Sequence, residues 1–255
     1  MQKMKIRLLG TGTSIGVPEM ACHCAVCEST NPKDKRFRTS AWIQEGNTSL
    51  LIDCGPDFRT QALQAGIEKI DGVILTHEHY DHVGGLDDLR PFCAAHAVPV
   101  YCQEHVAKCI VERMPYSFGP DKRRGTPTMD LIPKKPGESF KVGSLDITPF
   151  TVMHGQAPIF GYRIGRLGYI TDMKSMDCSQ FEYLEGIDVL VVNALHIKEH
   201  PTHQNLRQAV IFAEKVGAAR TYFIHMSHRV GLHDIVNAKL PESIELAYDG
   251  QEIVI

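Results

Sequence analysis

Residues 75–85 read "LTHEHYDHVGG", which places His77, His79, Asp81 and His82 directly behind the apolar run "DGVILT" at 71–76. A short run rich in Val, Ile and Leu reads as a buried strand. Side chains alternate along extended chain, so His77 and His79 point the same way and can reach one metal ion. A turn then lets Asp81 and His82 face a second ion beside the first. Imidazole and carboxylate donors suit zinc, manganese or iron better than magnesium or calcium. Gly84 and Gly85 permit close backbone passage behind the motif. The bland alternative, polar residues scattered in a surface loop, fits so dense a run of ligands poorly.

Two ions need further ligands, and other strand-like runs offer them. His154 follows "ITPFTVM", Asp172 follows "LGYIT" and His225 follows "RTYFI". A side chain at the end of a buried strand is held by a rigid scaffold, as site residues are. Short apolar runs at 4–9, 48–53, 71–76, 145–152, 160–164, 168–171, 188–192 and 220–224 predict strands. Helices are predicted at 103–114 and 232–239, and over "QNLRQAVIFAEKVG", where Leu206, Ala209, Val210, Ala213 and Val216 share a face and Gly217 suits the stop. Runs of strands with helices between them predict an α/β fold with sheets packed inside helical layers, as one domain over residues 1–255. Residues 115–138 carry five prolines and the basic residues Lys122, Arg123, Arg124, Lys134 and Lys135. They read as a surface loop, with a lid or substrate-contact insertion as the sharper option.

The chain is 43% hydrophobic, enough for a sizeable core, and its net charge of -3 speaks against a broad basic surface for nucleic acid. No apolar run approaches the ~20 residues of a membrane span. The start, "MQKMKIRLLGTGTS", lacks the pattern of an export signal. The expected location is therefore cytoplasmic, and the eight cysteines read as thiols or metal ligands rather than disulfides.

The ordered set HxHxDH, His, Asp, His resembles the metallo-β-lactamase-fold hydrolases, from "GTGTS" to the last strands. That resemblance implies an αββα sandwich of two mixed sheets flanked by helices, with a dinuclear site at one edge. It would give His77, His79 and His154 to one metal, Asp81, His82 and His225 to the other, and Asp172 as the bridge. Asp53, in "LLIDCGP", resembles the family's supporting strand-end aspartate. The lactamases proper lack the second-site histidine, and the glyoxalase II branch carries a long C-terminal helical region. The phosphodiesterase branch fits better: in tRNase Z-like enzymes a further histidine opens a helix upstream of the last metal histidine, as His203 does in "HPTHQNLRQAV". His203 is a candidate proton donor to a leaving oxygen, with His200 and His196 as competitors. Asp81 is taken with it as a catalytic residue.

In "CHCAVC", Cys22, Cys24 and Cys27 supply three of the four ligands of a tetrahedral structural zinc. His228, in "HMSHR", is the expected fourth, and His23 is the substitute. This combination resembles the PhnP-type cyclic phosphodiesterases. The resemblance implies hydrolysis of 5-phosphoribosyl 1,2-cyclic phosphate or 2′,3′-cyclic nucleotides, with two Mn2+ or Zn2+ in the active site and one structural Zn2+. The expected partner is a small phosphodiester, with a homodimer as an option and neither nucleic acid nor membrane favoured. The rival readings are a tRNase Z-like nuclease and a metal-binding module without turnover.

Overall fold

The computed structural model describes residues 3–94, 96–119 and 124–255. The first sheet is built from β1 (Lys5–Gly10), β2 (Ser40–Glu45), β3 (Thr48–Ile52), β4 (Gly72–Ile74), β5 (Val98–Cys102) and β6 (Met129–Pro133). The second takes β7 (Phe140–Val142), β8 (Leu145–His154), β9 (Ala157–Ile164), β10 (Leu167–Tyr169), β11 (Val189–Asn193), β12 (Arg220–Ile224) and β13 (Ile244–Leu246). The last strand, β14 (Glu252–Val254), returns to the edge of the first sheet beside β1. Among the described residues each sheet has seven strands, ordered β14-β1-β2-β3-β4-β5-β6 and β13-β12-β11-β10-β9-β8-β7.

Both sheets are mixed in the same way. Strands β14 to β3 are antiparallel and β3 to β6 parallel, while β7 to β10 are antiparallel and β10 to β13 parallel. The sheets pack face to face through Ile6, Leu8, Ile43 and Ile52 on one side and Phe160, Tyr162, Tyr169 and Val191 on the other. Helices cover the outer faces: α1 (Phe58–Ala65) and α3 (Glu104–Arg113) with Leu51, Val73 and Val100, and α4 (Leu206–Val216) with Leu190, Val192 and Phe223. The short α2 (Tyr80–Val83) lies within the histidine motif, and α5 (His233–Asn237) follows β12. Helix α4 starts on a capping box, in which Asn205 and Gln208 bond each other's backbone N–H, and stops at Gly217 in the left-handed conformation.

Two local readings need correction, and one strand was not expected. The segment 115–138 is more than a loop, because Met129–Pro133 forms the edge strand β6, paired in parallel with β5. Its prolines are tolerated because Pro133 closes an edge strand. Pro120, Lys122 and Arg123 lie outside the described residues. Strand β5 contains Pro99, which precedes the pairing with β4 that begins at Val100. The helix expected over 232–239 shortens to His233–Asn237. No described helix is long and apolar enough to cross a membrane.

Candidate metal centre

Parallel sheets present ligands beyond the carboxyl ends of their strands, and this chain uses that edge on both sheets. Asp53 directly follows β3, His77 follows β4, Asp172 follows β10 and His225 directly follows β12, while His154 ends β8. Asp53, Asp172 and His225 all have positive φ, at 58°, 55° and 55°. Left-handed backbone in a non-glycine residue costs of order 1–3 kcal/mol and persists where the surroundings over-determine it. At these strand ends the chain turns sharply so that the side chain faces along the edge instead of across the sheet. Behind the motif, backbones touch: a Cβ on Gly85 would sit 2.0 Å from the Gly55 carbonyl oxygen. Cys54 N–H donates to His82 O at 2.7 Å, and Gly85 N–H to Cys54 O at 2.8 Å.

Asp172 lies at the centre of the cluster. Its Oδ1 is 3.0 Å from His203 Nε2 and 3.1 Å from His225 Nε2, while Oδ2 is 3.2 Å from His82 Nε2. His82 Nε2 is also 3.1 Å from Asp81 Oδ2. The ligand-capable atoms of Asp81, His82, Asp172 and His225 all lie within 4.8 Å of one another, as do those of His154, Asp172 and His203. His77 Nε2 and His79 Nδ1 meet at 3.0 Å, with the His154 ring 5.2 Å from His79 and 5.7 Å from His77. The structure thus brings together all of the expected dinuclear residues. It also draws in His203, which sits in the loop two residues before the Asn205 cap.

The outward nitrogens are already occupied, and this fixes which nitrogen faces inward. His82 Nδ1 bonds Asp53 Oδ2 at 2.7 Å, His154 Nδ1 donates to the Asp172 backbone carbonyl at 2.8 Å, and His225 Nδ1 lies 3.1 Å from Thr39 Oγ1. Asp53 is itself held by Thr76, through N at 2.8 Å and Oγ1 at 2.9 Å. His203 Nδ1 lies 2.9 Å from Thr202 Oγ1 and 3.2 Å from His200 Nδ1. These hydroxyls of Thr39, Thr76 and Thr202 escaped the sequence reading; Thr76, adjoining His77, and Thr202, adjoining His203, carried a sequence signal.

Electrostatics follow from burial and crowding. Burial and the neighbouring His82 hold His77 well below its usual pKa, and burial brings His225 down to about 4. Burial also works against His82, but Asp81, Asp172 and Asp53 around it overcome that and raise it well above its usual value. Burial opposes ionisation of Asp172, yet His225 and His82 hold it well below the carboxylate range. In spite of its short ion-pair distances, the buried His82 Nε2 makes no directed hydrogen bond. Inward lone pairs on imidazoles, two carboxylates among them and an orphaned ring nitrogen fit divalent cations of the zinc or manganese type.

The second cluster is separate. His228 Nδ1 lies 3.2 Å from Cys22 Sγ, 3.4 Å from Cys24 Sγ and 3.2 Å from Cys27 Sγ. Its other nitrogen, Nε2, meets Glu19 Oε2 at 3.0 Å. The Cys27 backbone N–H brings the Cys24 thiol down to about 6, whereas burial pushes Cys27 up to about 11. His23 is not the fourth member: its ring is exposed against Glu28.

Comparison with known proteins adds the family context. The model of the beta-lactamase superfamily domain matches residues 48–226. A protein of Porphyromonas gingivalis named octanoyltransferase is 45% identical over 99% of this chain and 52% of its own length. A ribonuclease Z from Bradyrhizobium is 29% identical over 51% of this chain and 45% of its own. The chain thus spans about half the length of these curated relatives. A crystal structure described as a new diphosphatase from the PhnP family superimposes with a TM-score of 0.93 at 38% identity, covering 99% of this chain and 97% of that one.

Proposed function

The chain belongs to the beta-lactamase superfamily and is PhnP-like within it, and from that premise we propose that it is a metal-dependent hydrolase of small phosphodiesters. The observation that carries this reading is the convergence of four imidazoles, those of His82, His154, His203 and His225, on the single buried carboxylate of Asp172. His77, His79 and His154 would hold one Zn2+ or Mn2+, Asp81, His82 and His225 the other, and Asp172 both. When bound, such a pair supplies a water ionised near neutral pH and positive charge against the phosphoryl oxygens.

The chain's own groups do the rest. His203 carries a proton at Nε2, aimed at Asp172 Oδ1 and steadied from behind by Thr202 and His200. That proton passes to the departing ester oxygen as the P–O bond breaks. Asp81, which His82 keeps ionised against its burial, would serve as a ligand and as an acceptor beside the attacking water. Cys22, Cys24, Cys27 and His228 hold a structural Zn2+ that ties the N-terminal loop to the segment after β12 and takes no part in the chemistry.

The substrate is 5-phosphoribosyl 1,2-cyclic phosphate or a 2′,3′-cyclic nucleotide. The PhnP-family neighbour's description as a diphosphatase favours a second reading, a P–O–P bond as the scissile linkage. Acyl transfer is the activity named for the Porphyromonas relative, of whose length this chain covers 52%. Neither a nucleic-acid partner nor a membrane is part of the proposal.

A panel of cyclic ribose phosphates, cyclic nucleotides, linear diesters, diphosphate esters and precursor tRNA decides among these readings, with elemental analysis of the same preparation. Fastest turnover of a small cyclic diester is expected. A fully metallated protein that leaves every phosphorus ester intact would refute the proposal.

A further inference from the structure

The loop "GTGTS" after β1 has no place in the ligand set, yet it grips the turn that carries His225. Met226 N–H donates to Thr11 O and Thr13 N–H donates to Met226 O, both at 3.0 Å. Between them, Thr39 Oγ1 lies 2.8 Å from the Gly12 carbonyl oxygen and 3.1 Å from His225 Nδ1. A carbonyl oxygen only accepts, so the single hydroxyl proton of Thr39 goes to Gly12. A lone pair of Oγ1 then faces Nδ1, which must carry the ring proton; the other tautomer would set lone pair against lone pair. Nε2 is left as the acceptor nitrogen: Thr13 Oγ1, at 3.2 Å, can donate to it, and its approach to the acceptor Asp172 Oδ1, at 3.1 Å, is the one a cation between them would satisfy. Thr39 is fully buried, so water cannot take over its role. His225 also has a left-handed backbone, φ 55°, so extended-strand geometry does not aim its ring.

We propose that Thr39 is a positioning residue, which fixes the tautomer and direction of the His225 imidazole against the rigid acceptor of the "GTGTS" loop. This inference rests on the dinuclear reading of the site. A hydroxyl that holds the outer nitrogen of a ligand imidazole typically changes metal affinity about ten- to hundredfold when removed.

The test compares Thr39→Val, which keeps the shape and loses the hydroxyl, with Thr39→Ser, which keeps the hydroxyl. Zn2+ binding is measured by chelator competition on metal-free protein, beside thermal melting and the His225 Nδ1–H proton resonance. The expected result is that Thr39→Val binds one of the two ions about ten- to hundredfold more weakly and loses the resonance, whereas Thr39→Ser keeps both. If the valine variant does not fold, Thr39→Ala must show the same loss. Wild-type affinity in the valine variant, or an equal loss in the serine variant, overturns the role of Thr39. Wild-type protein that binds fewer than two ions would instead remove the dinuclear reading beneath it.

Discussion

Asp53→Asn separates support of a ligand from ligation. Asp53 is fully buried and accepts from Thr76 N at 2.8 Å, Thr76 Oγ1 at 2.9 Å and His82 Nδ1 at 2.7 Å. Asparagine has one carbonyl oxygen and an NH2 group. If the oxygen stays with Thr76, the NH2 group faces His82 Nδ1 and drives the ring proton onto Nε2, the nitrogen that faces Asp81 and Asp172. The predicted loss of affinity for one ion is about ten- to hundredfold, or about 1.4–2.7 kcal/mol. Breaking a buried charge pair from one side costs about 3–5 kcal/mol in general. His82 keeps Asp81 and Asp172 at 3.1 and 3.2 Å, so the low end is expected in the metal-free protein. A second readout has its own sign. Asp81, Asp172 and Asp53 raise His82 and favour its protonated form when no metal is bound, so metal binding should release a proton; with one of its three carboxylates gone, fewer protons should be released at neutral pH. Chelator competition gives the affinity, and calorimetry in buffers of different ionisation enthalpy gives the proton count. Unchanged affinity and proton release with a lowered melting temperature would refute this reasoning and make Asp53 a packing residue only.

Three other perturbations probe the remaining assignments. His203→Ala should keep both ions by elemental analysis and lose about 10²–10⁴ in kcat, the usual worth of a positioned proton donor; lost metal would make His203 a ligand. Cys24→Ser should lower the melting temperature and remove zinc from the Cys22–Cys27 loop, yet leave turnover nearly intact in the protein that remains folded. Full stability with lost turnover would contradict a structural role. Metal-free protein should lose stability on acidification from about pH 6.5 to about pH 4, the window between an unfolded imidazole and the buried His225. Here the unfolded chain binds more protons than the folded one, so stability falls as the pH falls, with His225 alone contributing about 3 kcal/mol. The raised value of His82 acts in a different window, because its contribution is complete below about pH 6.5 and fades only above. Urea midpoints at pH 7 and pH 4.5 check the direction, and a midpoint that rises on acidification would contradict it.

The histidine motif and the strand-end residues His154, Asp172 and His225 were legible because ligand types behind apolar runs are dense local signals. So was the thiol trio of Cys22, Cys24 and Cys27. The PhnP-like architecture followed from the order of these motifs along the chain. Strands β2, β5, β7, β13 and β14 were not anticipated, and β6 was hidden by its prolines, because short edge and pairing strands take their stability from neighbours rather than from their own pattern.

By itself, then, the sequence determined which donor groups the protein carries: imidazoles and carboxylates in one set, thiols in another. Only the tertiary structure decided how those groups are aimed. The left-handed turns at Asp53, Asp172 and His225, and the hydroxyl of Thr39 behind the His225 ring, depend on contacts between residues distant along the chain. The direction of a ring nitrogen is set by whatever bonds its opposite side, and that partner is chosen by packing rather than by local sequence.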